Sequence, residues 1–121
     1  MVLYPNFFCK NWEILLFCIF KIEFFEFVYA IQIFFEKGDF EKVIKKAKIL
    51  LRKYSTQPIL YNLIGLSYKQ LNNLELAEKT FRSGLEVMPN NLSILVNLGA
   101  AYRLQEKFNE AKKTLEQVLQ T

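Results

Sequence analysis

The chain repeats itself every 34 residues. Gly65 recurs at Gly99, Tyr68 at Tyr102, Ala77 at Ala111, Lys79 at Lys113, Thr80 at Thr114 and Leu85 at Leu119, while Ile64, Leu74 and Phe81 return as Leu98, Phe108 and Leu115. A fixed period of this length is the mark of stacked helical hairpins, each of which can bury its apolar face only against its neighbours. Run backwards from Tyr61, Tyr68, Leu74, Ala77, Phe81 and Leu85, the same spacing lands on Phe27, Phe34, Phe40, Val43, Ala47 and Leu51. A third, more degenerate copy therefore precedes the two clear ones. Repeat units are expected at about 24–57, 58–91 and 92–121, with residues 1–23 as a separate apolar, aromatic segment.

The local physics of the pattern is helical. Tyr61, Ile64, Gly65 and Tyr68 fall on one stripe of an α-helix, and Ala77, Phe81, Gly84 and Leu85 fall on one stripe of the next. Gly65 costs about 1 kcal/mol against alanine inside a helix, which calls for a compensating close approach by a partner helix. Ala77 is expected to face it, and Gly99 repeats the arrangement. Asn72-Asn73 lies between the two stripes, with Gly38-Asp39 and Glu106-Lys107 at matching places, so these pairs mark hairpin tips. Ser55-Thr56 offers capping hydroxyls ahead of Pro58, whose ring suits a first helical turn. Pro89-Asn90-Asn91 breaks one unit from the next.

The residues that carry the period resemble the tetratricopeptide repeat. That family shows a large apolar residue, a Leu-Gly-like pair, an aromatic, an alanine, another aromatic and a late proline. In the middle unit these are Tyr61, Ile64 with Gly65, Tyr68, Ala77, Phe81 and Pro89, and in the third they are Leu95, Leu98 with Gly99, Tyr102, Ala111 and Leu115. The first unit keeps Phe27, Phe34 and the Gly38, Asp39, Phe40 turn, but has Ile31 where the small residue belongs and Ser55 where the proline belongs. The resemblance implies an all-α, right-handed α-α superhelix of about three hairpins, preceded by an extra apolar helix or segment.

Composition narrows the chemistry. The 121 residues contain no histidine, the commonest general base and metal ligand. Cys9 and Cys18 match no zinc or redox spacing, and no phosphate loop or nucleophile motif occurs. Glu75, Glu78 and Glu86 lie at helix positions where solvated side chains belong. The expectation is a non-enzymatic protein that needs neither cofactor nor metal.

Residues 1–35 hold nine of the twelve phenylalanines, which suggests a membrane. Glu13, Lys21, Glu23 and Glu26 argue against a spanning helix, because the longest charge-free run after Lys10 is the nine residues from Phe27 to Phe35. A span needs about 20 apolar residues. Three alternatives stay open for this segment: an extra helix that packs its aromatics on the repeats, a helix lying along a membrane surface, or poorly selected sequence from an upstream start. A structured helix beginning near Trp12 or Phe24 is the expected form.

In arrays similar to this one, the first helices of successive units line a concave groove that holds a partner segment. Here that stripe is Ile59, Asn62, Leu66 and Lys69, then Ser93, Val96, Ala100 and Arg103. Lys69 and Arg103 stand one period apart and offer two cations to an acidic side chain or a terminal carboxylate, with Asn62 able to donate and accept hydrogen bonds beside them. One branch of the family clamps a partner's C-terminal carboxylate with polar residues, but Leu66 and Val96 occupy places where that clamp needs polar groups. A peptide alternating apolar and acidic residues fits the stripe better. The net charge of +4 and the cluster Lys42, Lys45, Lys46, Lys48, Arg52 and Lys53 raise nucleic-acid binding as a rival. In this family the second helix is the outer one, where lysines are ordinarily solvated, so that rival is not favoured.

The expected role is thus a cytoplasmic protein-interaction or scaffolding module. Two alternatives accompany it: the front portion of a longer enzyme, such as a bacterial transferase with its catalytic domain elsewhere, and a membrane-associated adaptor anchored through residues 1–35. Self-association through an uncapped third repeat is a further expectation, because Leu95, Leu98, Leu115 and Leu119 would otherwise lie partly uncovered.

Overall fold

A computed structural model describes residues 12–120. Among the described residues it contains six α-helices and no strand: α1 (Trp12–Glu36), α2 (Phe40–Lys53), α3 (Pro58–Gln70), α4 (Leu74–Val87), α5 (Leu92–Leu104) and α6 (Phe108–Leu119). Cys9 lies outside the described residues. With neither proline nor glycine between Trp12 and Glu36, nothing in the sequence interrupts α1, which runs as one 25-residue helix. The chain divides into two compact units, 1–30 and 31–121.

Within the first unit, residues 12–30 form helix throughout. Phe24 and Val28 are buried, whereas Trp12, Phe17, Phe25 and Phe27 are each more than half exposed. The Phe24 and Phe25 rings lie edge to face with their centres 5.8 Å apart, and the Lys21 ammonium lies 4.8 Å from the centre of the Phe17 ring.

The second unit is built by the period. Three tips repeat one backbone solution: the amide of Asp39 donates to the Phe34 carbonyl, that of Asn73 to Tyr68 and that of Lys107 to Tyr102, at 2.8–3.0 Å. A second bond, spanning three residues rather than five, joins Gly38 to Phe35, Asn72 to Lys69 and Glu106 to Arg103, each 3.0 Å. This pair of bonds ends a helix by a left-handed residue. Gly38, Asn72 and Glu106 accordingly have φ of 81°, 60° and 61°. Glycine takes this conformation freely and asparagine tolerates it, but glutamate adopts it only at a cost in strain.

The connectors between hairpins also repeat. Tyr54 and Met88 end α2 and α4 in similar non-helical conformations, and their amides return to Leu50 and Gly84. Pro58 begins α3 as the sequence implies. The Ser55 and Thr56 hydroxyls do not cap it: Gln57 holds the N-cap position without a side-chain bond, and the Ser55 carbonyl instead accepts from the Tyr61 hydroxyl at 2.8 Å. Asn91, one period after Gln57, does cap α5 by accepting from the Ile94 amide at 3.0 Å.

Packing follows the stripes. Each of helices α2 to α6 packs on its chain neighbour, and α3 also packs directly on α5. The core joins Tyr61, Ala77 and Phe81 to Ile94, Leu98, Ala101, Tyr102 and Ala111. Gly65 is buried beneath the ring of Phe81, whose atoms, rather than those of Ala77, come closest to the place a Cβ would occupy. A Cβ on Gly84 would lie 2.9 Å from Ile94 and 3.0 Å from Tyr61, and one on Gly99 would lie 2.9 Å from Leu115. Leu95 is buried and Tyr68 half-buried, but Pro89 is exposed in the α4–α5 connector and Leu115 is 43% exposed.

Candidate functional site

Helices α3 and α5 are the first members of consecutive hairpins, so their equivalent residues stand side by side where the two helices pack. Polar groups at the start of this surface are already joined to each other. Asn62 donates through Nδ2 to the Ser93 hydroxyl at 2.9 Å and accepts at Oδ1 from Asn97 Nδ2 at 2.9 Å. Both ends of the Asn62 amide therefore tie α3 to α5. The sequence stripe includes Asn62 and Ser93 as ligand-facing groups and omits Asn97, which sits one position round the helix from Val96.

Apolar surface comes next. Ile59, Leu66 and Ala100 are half-buried, and Val96 is 47% exposed. At the far end stand the two cations. Lys69 and Arg103 occupy the last turns of α3 and α5, where a positive charge also complements the helix dipole. Neither makes a side-chain hydrogen bond or ion pair among the described residues. The eight stripe residues thus separate into an internally bonded polar pair, an apolar strip and two uncommitted cations.

A second polar cluster lies on the other helix of the middle hairpin, around Glu78, which the sequence places at a solvated position but which is half-buried here. Glu78 on α4 accepts from Gln105 Nε2 and Lys107 Nζ, both at 2.9 Å, with Arg82 at 3.8 Å. Burial alone would raise its carboxyl pKa, but the hydrogen bonds from Lys107 and Gln105, with the charges of Lys107 and Arg82, bring it below the usual glutamate value. Lys107 is held above its ordinary value by the same bond. The cluster fastens the tip of the third hairpin to the second. Burial, with a smaller push from Glu86, raises the Tyr61 hydroxyl pKa, and burial chiefly raises that of Tyr102. Ser67, also on α3, points into the core with its hydroxyl buried and unpaired, at the place where the third hairpin has Ala101.

No trio of acidic or cysteine side chains among the described residues is arranged to hold a metal ion. None of the described helices is long and apolar enough to cross a membrane.

The tetratricopeptide-repeat profile matches residues 59–91 and 92–121, a little over half of the chain. The chain belongs to the tetratricopeptide-repeat family. Solved repeat domains share its fold. The first such domain of human RPAP3 superposes with a TM-score of 0.75 at 21% identity, over 80% of this chain and 76% of that one. The second such domain of Spaghetti (RPAP3), bound to the HSP90 peptide SRMEEVD, gives 0.72 at 22% identity over 79% and 89%. MamA from Desulfovibrio magneticus RS-1 gives 0.70 at 14% identity, covering 77% of this chain and about half of its own, 53%. No curated protein matches the sequence significantly. With these tetratricopeptide neighbours, the stacked hairpins form the right-handed superhelix that the repeat implies.

Proposed function

We propose that this tetratricopeptide protein is a non-enzymatic interaction module that holds an extended segment of a partner protein along α3 and α5. The observation that carries this is the division of labour on that surface. Asn62 bonds both Ser93 and Asn97, while Lys69 and Arg103 border the apolar strip of Leu66, Val96 and Ala100 with no hydrogen-bond or ion-pair partner among the described residues. A ligand that buries apolar side chains on the strip and brings a carboxylate to the cations satisfies both. An acidic, partly apolar peptide has that chemistry. The peptide held by the Spaghetti domain, SRMEEVD, is acidic as well, which supports the class of ligand. A clamp of the same design is not implied, because Leu66 and Val96 leave the strip apolar.

The test is titration of the full chain with a synthetic peptide alternating leucine and glutamate, alongside its leucine–lysine counterpart. The acidic peptide should bind and the basic one should not. Lys69→Glu with Arg103→Glu should weaken binding about tenfold or more while helicity and melting stay unchanged. Unaltered affinity in the double variant would remove the site.

A further inference from the structure

Helices α2, α4 and α6, each of which follows one of the three repeated tips, differ in charge. Along α2, residues Lys42, Lys45, Lys46, Ile49, Arg52 and Lys53 follow at spacings of three, one, three, three and one, which is a single helical face. All six are exposed, and the buried residues Val43, Ala47 and Leu50 occupy the opposite side. The corresponding helices α4 and α6 mix both signs: Glu75, Glu78, Lys79, Arg82 and Glu86 on one, Glu110, Lys112, Lys113 and Glu116 on the other. Among the described residues, α2 alone of these three helices has a predominantly basic face, with the exposed Glu41 at its N-terminal edge as its one acidic neighbour.

Internal contacts leave much of this charge available. Lys48, off the stripe, donates to the Tyr68 hydroxyl at 2.7 Å. Lys42 reaches Asp39 at 3.6 Å, Lys46 lies over the Phe34 ring at 5.7 Å and Lys53 over Tyr54 at 5.5 Å. Lys45 and Arg52 make no such contact among the described residues. Ile49, 58% exposed, stands in the middle of the cations.

We infer that this face of α2 docks on an anionic lipid surface. Long basic side chains around an exposed aliphatic residue match a headgroup layer, where the cations meet phosphate and carboxylate groups and the apolar side chain dips below them. Nucleic acid is the other polyanion of this charge, but the aromatic rings near the face, Phe34 and Tyr54, are half-buried under lysine ammoniums rather than open for base stacking. The inference is independent of the peptide surface on α3 and α5.

Co-sedimentation of the full chain with phosphatidylcholine vesicles, and with vesicles in which a quarter of the lipid is phosphatidylserine, tests it. The anionic vesicles should bind at least about tenfold more protein at moderate salt, and the excess should fall as salt rises. Lys45→Glu with Arg52→Glu should abolish that excess without changing helicity, and Ile49→Ser should lower binding to the anionic vesicles severalfold. Equal binding to both vesicles, an undiminished excess in the double variant, or displacement of the protein from anionic vesicles by a single-stranded oligonucleotide at equal charge would overturn the inference.

Discussion

Gly65 and Gly99 hold the same place in consecutive repeats, yet what leans on them differs. Over Gly65 lies Phe81, fully buried and walled in by the third hairpin; against Gly99 lies Leu115, 43% exposed. The two sites share a backbone geometry but not a packing density. An interior hairpin has a neighbour on each side, whereas the described part of the third has one, and its Leu119 is 85% exposed where the equivalent Leu85 is half-buried. Repeat stability is a sum of unit and interface contributions, so the same motif contributes more in the middle hairpin than in the third.

Truncation should expose that difference most strongly. Phe81→Ala removes a buried ring that seals Gly65 and touches the core shared by both hairpins, and should cost about 3–5 kcal/mol. Leu115→Ala, at the matching position, should cost about 1 kcal/mol or less, because much of its side chain is already in water. Denaturant unfolding of the two variants checks the ratio, and equal losses would mean the third hairpin is as tightly packed as the second.

The link between the hairpins carries its own signature. Because the Glu78 carboxyl has a folded-state pKa below the ordinary 4.5, its contribution is complete above that value and disappears as pH falls through the lowered one. Glu78→Gln should therefore lower the melting temperature by a few degrees at pH 7, and its gap to the parent should shrink as the pH falls below 4.5. A constant gap across that range would show that the carboxylate does not fasten the third hairpin.

The smallest effect belongs to the tips. Glu106 adopts the left-handed conformation that Gly38 supplies freely and Asn72 tolerates. Glu106→Gly should stabilise the chain by about 0.5–1 kcal/mol, the relieved strain being partly offset by the greater freedom of glycine when unfolded. Gain in this variant, with a loss in Gly38→Glu, would be seen by thermal melting.

Much of the repeat was legible in the sequence because period and helical stripe are properties of spacing alone. Gly65, Ala77 and Phe81 declare a packed face by recurring, and Asn72 and Glu106 declare a turn by falling between faces. Partners across hairpins were not legible. The bonds from Asn62 to Ser93 and Asn97, and from Glu78 to Gln105 and Lys107, depend on how far one hairpin rotates against the next, which no local pattern encodes. Capping misled for a related reason: Ser55 and Thr56 have suitable hydroxyls, but the backbone places Gln57 at the N-cap and uses the Ser55 carbonyl for Tyr61. In α1, the aromatic run gives no helical stripe, and only the lack of a breaker before Gly38 foretells one long helix.

Melting curves of Gly65→Leu and Gly99→Leu, recorded side by side, put the close-packed stack to its most direct test. Overpacking beneath the enclosed Phe81 ring should cost more than the about 1 kcal/mol gained in helix propensity, so Gly65→Leu should melt well below the parent, and Gly99→Leu should fall by less than half as much because Leu115 can swing into solvent. A Gly65→Leu protein that melts with the parent, or a larger loss at Gly99, would contradict the account.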